Sequence, residues 1–197
     1  MSDDCSPDEP LSDDELLIAL AEAVAKQRGY ADFYDWHDKR QKELGLLQAL
    51  VEAAGRIGLT LSDYRLQDEG KDPPDAWVTL VGTSIAVEFT EFVDRNMIEK
   101  QRREKQEQWR VWIQQDVEVK LSSILAAKDH AGFGGGVGYW LVIHCDEPGL
   151  SSELFERYLG AMPSIATRGV GRCFVLLSYD PAVKGYPLLE VTVKGAP

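Results

Sequence analysis

Two strand-like runs meeting at a glycine constrain this chain more than any other feature. Ala76–Val81 and Ile85–Val93 are rich in β-branched and aromatic residues, and Gly82-Thr83 lies between them. The pattern predicts a tight hairpin. With Gly82-Thr83 as a two-residue loop, Val81 pairs with Ser84, Thr79 with Ala86, Trp77 with Glu88 and Asp75 with Thr90. Side chains alternate between faces, so Asp75, Glu88 and Thr90 share one face. Asp75 and Glu88 are then diagonal neighbours, roughly 7–8 Å apart at the backbone, and both carboxylates reach one ion. A few carboxylate oxygens completed by water is what Mg2+ takes. The plainer reading is a Pro-Asp turn followed by solvated acids at strand ends.

A helix predicted over His37–Arg56 adds a third acid. Leu44, Leu46, Leu47, Leu50, Val51, Ala54 and Ile57 fall on one arc of it. At about 100° per residue, Glu43 sits in the middle of that arc and Glu52 points away. A charge aimed at a core is rarely left unpaired, so Glu43 is the helix acid expected near the hairpin carboxylates.

The remaining pattern sets the fold class. Ser12 and Glu15 form a capping-box signal for a helix over about Asp13–Gln27, and Leu59–Leu66 reads as a further strand. A long helix is expected over about Asn96–Ala127. The apolar strand Tyr139–Cys145, a helix over Ser151–Leu159 and strands at Cys173–Tyr179 and Leu188–Val193 follow. The order ααβββαβαββ predicts an α/β fold, a mixed β-sheet flanked by helices. Residues 1–10 read as a disordered acidic lead and 11–197 as one domain.

Pro74-Asp75, twelve residues, then Glu88-Phe89-Thr90 resembles the PD-(D/E)XK nuclease superfamily. More closely, Pro73-Pro74-Asp75 with Val87-Glu88-Phe89-Thr90-Glu91 resembles bacterial proteins with a PPD…(I/V)E(V/F)TE signature. The resemblance implies a restriction-endonuclease-like core over about residues 40–145. It implies Asp75 and Glu88 as ligands of Mg2+ or Mn2+, Glu43 as an accessory acid, and DNA or RNA as substrate. Thr90 stands where that superfamily has a lysine, which would stabilise the developing phosphorane charge and orient the attacking water. A hydroxyl only hydrogen-bonds or holds water. Some relatives carry the basic group on a neighbouring helix. Within the long helix, Trp109, Ile113, Val117, Leu121, Ile124 and Leu125 mark the buried arc, with Lys128 inside it and Lys120 at its edge. Lys128 is the candidate replacement, although a cation at a helix C-terminus also suits the helix dipole.

Seven of the 33 acidic side chains lie in residues 1–15, so more than half of the net charge of −12 sits there. The remainder lacks the strong basic balance of a protein gripping many phosphates. Arg95, Lys100, Arg102, Arg103, Lys105 and Arg110, set against Glu99, Glu104 and Glu107, give the first part of the long helix a positive excess, suited either to a phosphate backbone or to solvent. Trp109 and Trp112 suit base stacking, a core or a partner. Adjacent strand residues face opposite ways, which argues against a catalytic pair in His144-Cys145. Gly132–Gly136 lacks the lysine of a phosphate-binding loop.

Three widely spaced cysteines, no apolar run near 18 residues and no export leader point to a cytoplasmic protein that does not cross a membrane. Two functions remain open: a metal-dependent nuclease, or a catalytically degenerate nuclease-fold protein acting as a binding module. A homodimer formed through exposed tryptophans and helices is compatible with either.

Overall fold

Asp38 opens the first described helix, its carboxylate accepting the backbone N–H groups of Arg40 at 2.8 Å and Gln41 at 3.3 Å. The computed structural model describes residues 38–71, 73–94, 96, 103, 110–129, 138–147 and 149–195. The helix expected over 13–27, the loop at 132–136 and most of 96–109 lie outside these residues. Helix α1 (Lys39–Arg56) is followed by β1 (Leu61–Leu66), β2 (Ala76–Leu80) and β3 (Thr83–Phe92). Then come α2 (Gln114–Lys128), β4 (Tyr139–Cys145), α3 (Ser152–Ala161) and β5 (Ile165–Thr167). The described chain ends with β6 (Val170–Leu177), β7 (Leu188–Val191) and β8 (Val193–Gly195).

Six strands form one mixed sheet in the order β1-β2-β3-β4-β6-β7, and β5 pairs with β8 apart from it. β3, β4 and β6 run parallel, while β1, β2 and β7 add antiparallel margins. The expected α/β class with a mixed sheet flanked by helices is therefore observed. α1 buries Leu46, Leu47, Leu50 and Ala54 against Val78, Val87, Val142 and Phe174. On the other face, α2 and α3 bury Val117, Leu121, Leu125 and Phe155 against Phe92, Leu141, Ile143 and Val175. No helix among the described residues is long and apolar enough to cross a membrane.

Four expectations need correction. The hairpin loop is Val81-Gly82, with Leu80 opposite Thr83 and Trp77 opposite Ala86. Val81 and Gly82 both have positive φ, 49° and 78°, which is the backbone of a type I′ turn. The register therefore slides by two residues, and each side chain keeps its face.

The helix expected over Asn96–Ala127 is interrupted. Residues 110–113 are not helical, and Ile113 is extended with φ −104° and ψ 161°. Side chains hold this segment out of a helix. Arg110 contacts Asp94 at 2.6 Å and Asp116 at 3.1 Å, and Trp112 Nε1 donates to Glu147 Oε2 at 2.9 Å. Trp112 is only 3% exposed and packs on Phe92, so it belongs to the core rather than to a base-stacking or dimer surface. Arg110, counted among the cations for a phosphate backbone, is engaged by these two acids.

Leu44 and Ile57 are exposed, so the apolar arc of α1 is narrower than expected and centres on Leu46, Leu50 and Ala53. The final strand expected over Leu188–Val193 is split at Thr192 into β7 and β8.

Candidate active site

β2 stops at Ala76, whereas β3 continues to Phe92 with β4 alongside. The unpaired margin of β3 beyond Val87 forms the floor of a cleft of about 270 Å3. Lys39, Lys42, Glu43, Leu46, Asp75, Phe89, Thr90, Glu91 and Lys128 line it.

Asp75 ends the β2–β3 ladder. Its N–H donates to Val87 O at 3.1 Å, and its Oδ2 accepts Phe89 N–H at 2.7 Å. The carboxylate therefore satisfies a strand N–H that has lost its neighbour. These two bonds set Asp75 level with Glu88 rather than opposite Thr90, which corrects the expected pairing. Burial drives the Asp75 carboxyl up to about 6, nearby Glu88 and Glu43 add to the rise, and the Phe89 N–H opposes it.

Glu88 is 4% exposed on the face covered by α2. Its Oε2 lies 3.1 Å from Lys128 Nζ. Thr90 follows two residues along on the same face and lines the same cleft. Lys128 thus reaches from the end of α2 into the cleft that Thr90 also lines. Lys120 does not line the cleft.

Glu43 approaches from the opposite face, on α1, and is paired with Lys39 at 3.2 Å with its side chain 13% exposed. The shared face expected for the hairpin acids does not extend to it. The cleft instead straddles the sheet margin, and the Asp75 carboxyl feels Glu88 from one face and Glu43 from the other. Glu52 is exposed and paired with Arg56, as its helix phase implied.

Sequence reasoning missed two contributors. Lys39 was readable from its i,i+4 spacing to Glu43. Lys42 was not, because its partner is remote: Nζ lies 2.8 Å from Glu91 Oε1 on β3. That contact is an ion pair without hydrogen-bond geometry, and Glu91 Oε1 is buried with no hydrogen bond.

His144 lies beside Glu91 in the β3–β4 register. Burial pushes its imidazole down to about 4, with Lys42 contributing, so it is neutral. Cys145 packs in the core on the other face, and burial pushes its thiol far up, so the two form no catalytic pair. A second hollow, about 420 Å3, opens at the carboxyl ends of β4 and β6 and holds none of the expected site residues.

Among the described residues, no three or more His, Cys, Asp or Glu side chains are gathered as a ready metal cage. Asp75 and Glu88 still suit a hard divalent ion, which is commonly held by one or two carboxylates and completes its shell with water and substrate oxygens. A cation beside Asp75 would offset the burial, and the nearby Glu88 and Glu43, that raise its carboxyl.

Fold and cleft together define an α/β protein with an acid- and lysine-lined cleft at the margin of a mixed six-stranded sheet. Comparison with protein-family models, with curated proteins and with solved structures gives no match.

Proposed function

We propose that the chain is a phosphodiesterase of the PD-(D/E)XK type, cleaving DNA or RNA with Mg2+ or Mn2+. The observation that supports this reading is that Asp75 and Lys128 line one cleft, while the buried Glu88 lies 3.1 Å from Lys128 Nζ and acts on the Asp75 carboxyl. An ion held by Asp75 and Glu88, when bound, polarises a phosphoryl oxygen and acidifies the attacking water. Lys128 supplies the positive charge that Thr90 lacks and stabilises the charge developing on the phosphate. The Thr90 hydroxyl holds a water. Glu43 acts as an accessory acid across the cleft from Glu88. Lys39 and Lys42 place further positive charge along the α1 wall, suited to phosphate oxygens.

The first test is calorimetric titration of Mn2+ into the native chain and Asp75→Ala. Saturable heat in the native chain and none in the variant is expected; negligible heat in both sinks the metal site. A cleavage screen over single-stranded, duplex and structured DNA and RNA with Mn2+ follows. Glu88→Ala and Lys128→Ala should each lower the rate about 100-fold or more.

One observation favours a second reading. Glu43, Glu88 and Glu91 each already have a lysine at ion-pair distance, as a cluster kept for packing or partner contact would. Under that reading the chain is a binding module on a nuclease-like scaffold. Cleavage abolished by Glu88→Ala rules it out.

A further inference from the structure

We infer that Asp129 is a positioning residue, clamping the end of α2 so that the Lys128 ammonium meets Glu88. Its consequence for catalysis rests on the phosphodiesterase reading; the clamp itself does not.

Lys128 is the last residue of α2. Helix ends fray, and a lysine side chain has many rotamers to lose. A free helix end would not hold an ammonium 3.1 Å from a buried carboxylate. Here the backbone around Lys128 is tied down twice. The Asp129 carboxylate accepts the backbone N–H groups of Arg168 at 2.8 Å and Gly169 at 2.9 Å. The Arg168 guanidinium returns a bond from Nη2 to Asp129 O at 2.8 Å. The Tyr139 hydroxyl donates to Lys128 O, joining the helix end to the first residue of β4.

Both anchors are rigid. β4 lies beside β3, the strand that carries Glu88. The turn gripped by Asp129 separates β5 from β6, and β6 pairs with β4. At that junction the backbones touch: a Cβ on Gly138 would fall 2.6 Å from Gly171 Cα. Burial alone would raise the Asp129 carboxyl, but backbone N–H groups of Gly169, Arg168 and Val170 outweigh it and hold the group below its ordinary value. Asp129 therefore stays an ionised acceptor at neutral pH. It does not line the cleft, so its influence passes through Lys128.

The test uses the full chain with Asp129→Ala, Asp129→Asn, Lys128→Ala and the double variant Lys128→Ala/Asp129→Ala. One arm follows Mn2+-dependent hydrolysis of bis(p-nitrophenyl) phosphate. Asp129→Ala should lower kcat about 10- to 100-fold with KM nearly unchanged, the effect of a misplaced group. Asp129→Asn, which keeps a carbonyl acceptor, should recover most of that loss. In the Lys128→Ala background, Asp129→Ala should add nothing, because the two act as a unit. A full, additive loss in that background overturns the inference.

The other arm needs no activity: the rate of Lys128 acetylation by acetic anhydride, read by peptide mass spectrometry without metal. Asp129→Ala should raise it severalfold. If that variant does not fold, Tyr139→Phe releases the same helix end and should raise it too. Native reactivity in the folded variants overturns the clamp. Absence of hydrolysis by the native chain sinks the phosphodiesterase reading and leaves the acetylation arm to decide the clamp.

Discussion

Asp75 differs from the acids around it. Glu43, Glu88 and Glu91 each face a lysine, whereas the Asp75 carboxylate accepts the neutral N–H of Phe89. Burial and two neighbouring carboxylates raise its folded value to about 6, against about 3.9 for an unperturbed aspartate. Between these values the folded chain binds more protons than the unfolded one. Stability therefore falls as pH rises from about 4 to about 6 and stays lower above that. Asp75→Asn keeps an acceptor for Phe89 N–H and has no proton to lose. Urea unfolding should show it more stable than the native chain at pH 7.5, on the order of 1–2 kcal/mol, with no such gain at pH 4. An equal gain at both pH values would remove ionisation as the cause. The same ionisation governs metal affinity in the opposite direction, because only the deprotonated carboxylate serves as a ligand. A carboxylate that weakens the fold at neutral pH fits a residue kept for function.

The β2–β3 hairpin shows what one element reveals before its structure is known. Its two strands and the face carrying Glu88 and Thr90 were legible, because side-chain alternation survives a two-residue slip. Its register was not. Gly82 was a clear turn signal, but Val81, a β-branched residue, occupies the left-handed position that usually takes Asn, Asp or Gly. Although it was the resemblance that called for a lysine on a neighbouring helix, the inward position of Lys128 was legible from helix phase. Its clamp was not, since Asp129, Arg168 and Tyr139 meet only through long-range contacts. The break before α2 was hidden for a similar reason: the carboxylates that hold Arg110 and Trp112 come partly from distant Asp94 and Glu147. Val81 is 93% exposed, so its side chain gains little there to offset the backbone strain. Val81→Asn should therefore raise stability by about 1 kcal/mol, measured by thermal or urea unfolding. A loss would mean that the turn is not type I′ in solution.

Across the whole molecule, the cleft depends on both layers of helix. Glu43, Lys39 and Lys42 come from α1, Lys128 from α2, and the carboxylates from the sheet margin between them. The two apolar cores share β3, β4 and β6. Along β4, Val142 faces α1 while Leu141 and Ile143 face α2 and α3. Loss of either helix would expose one face of the central strands and leave a margin without its lysines. One cooperative unit is the expected consequence, since neither core is complete without strands that the other also holds. Native-state hydrogen exchange checks this directly. The amides of Leu47 and Leu50 in α1 and of Leu121 and Leu125 in α2 should open with free energies within about 1 kcal/mol of each other and of the global unfolding value. If α1 opens several kcal/mol below α2, the faces are separate units. The α1 wall would then be the part of the cleft that opens first, taking Glu43, Lys39 and Lys42 with it while Glu88 and Lys128 stay together.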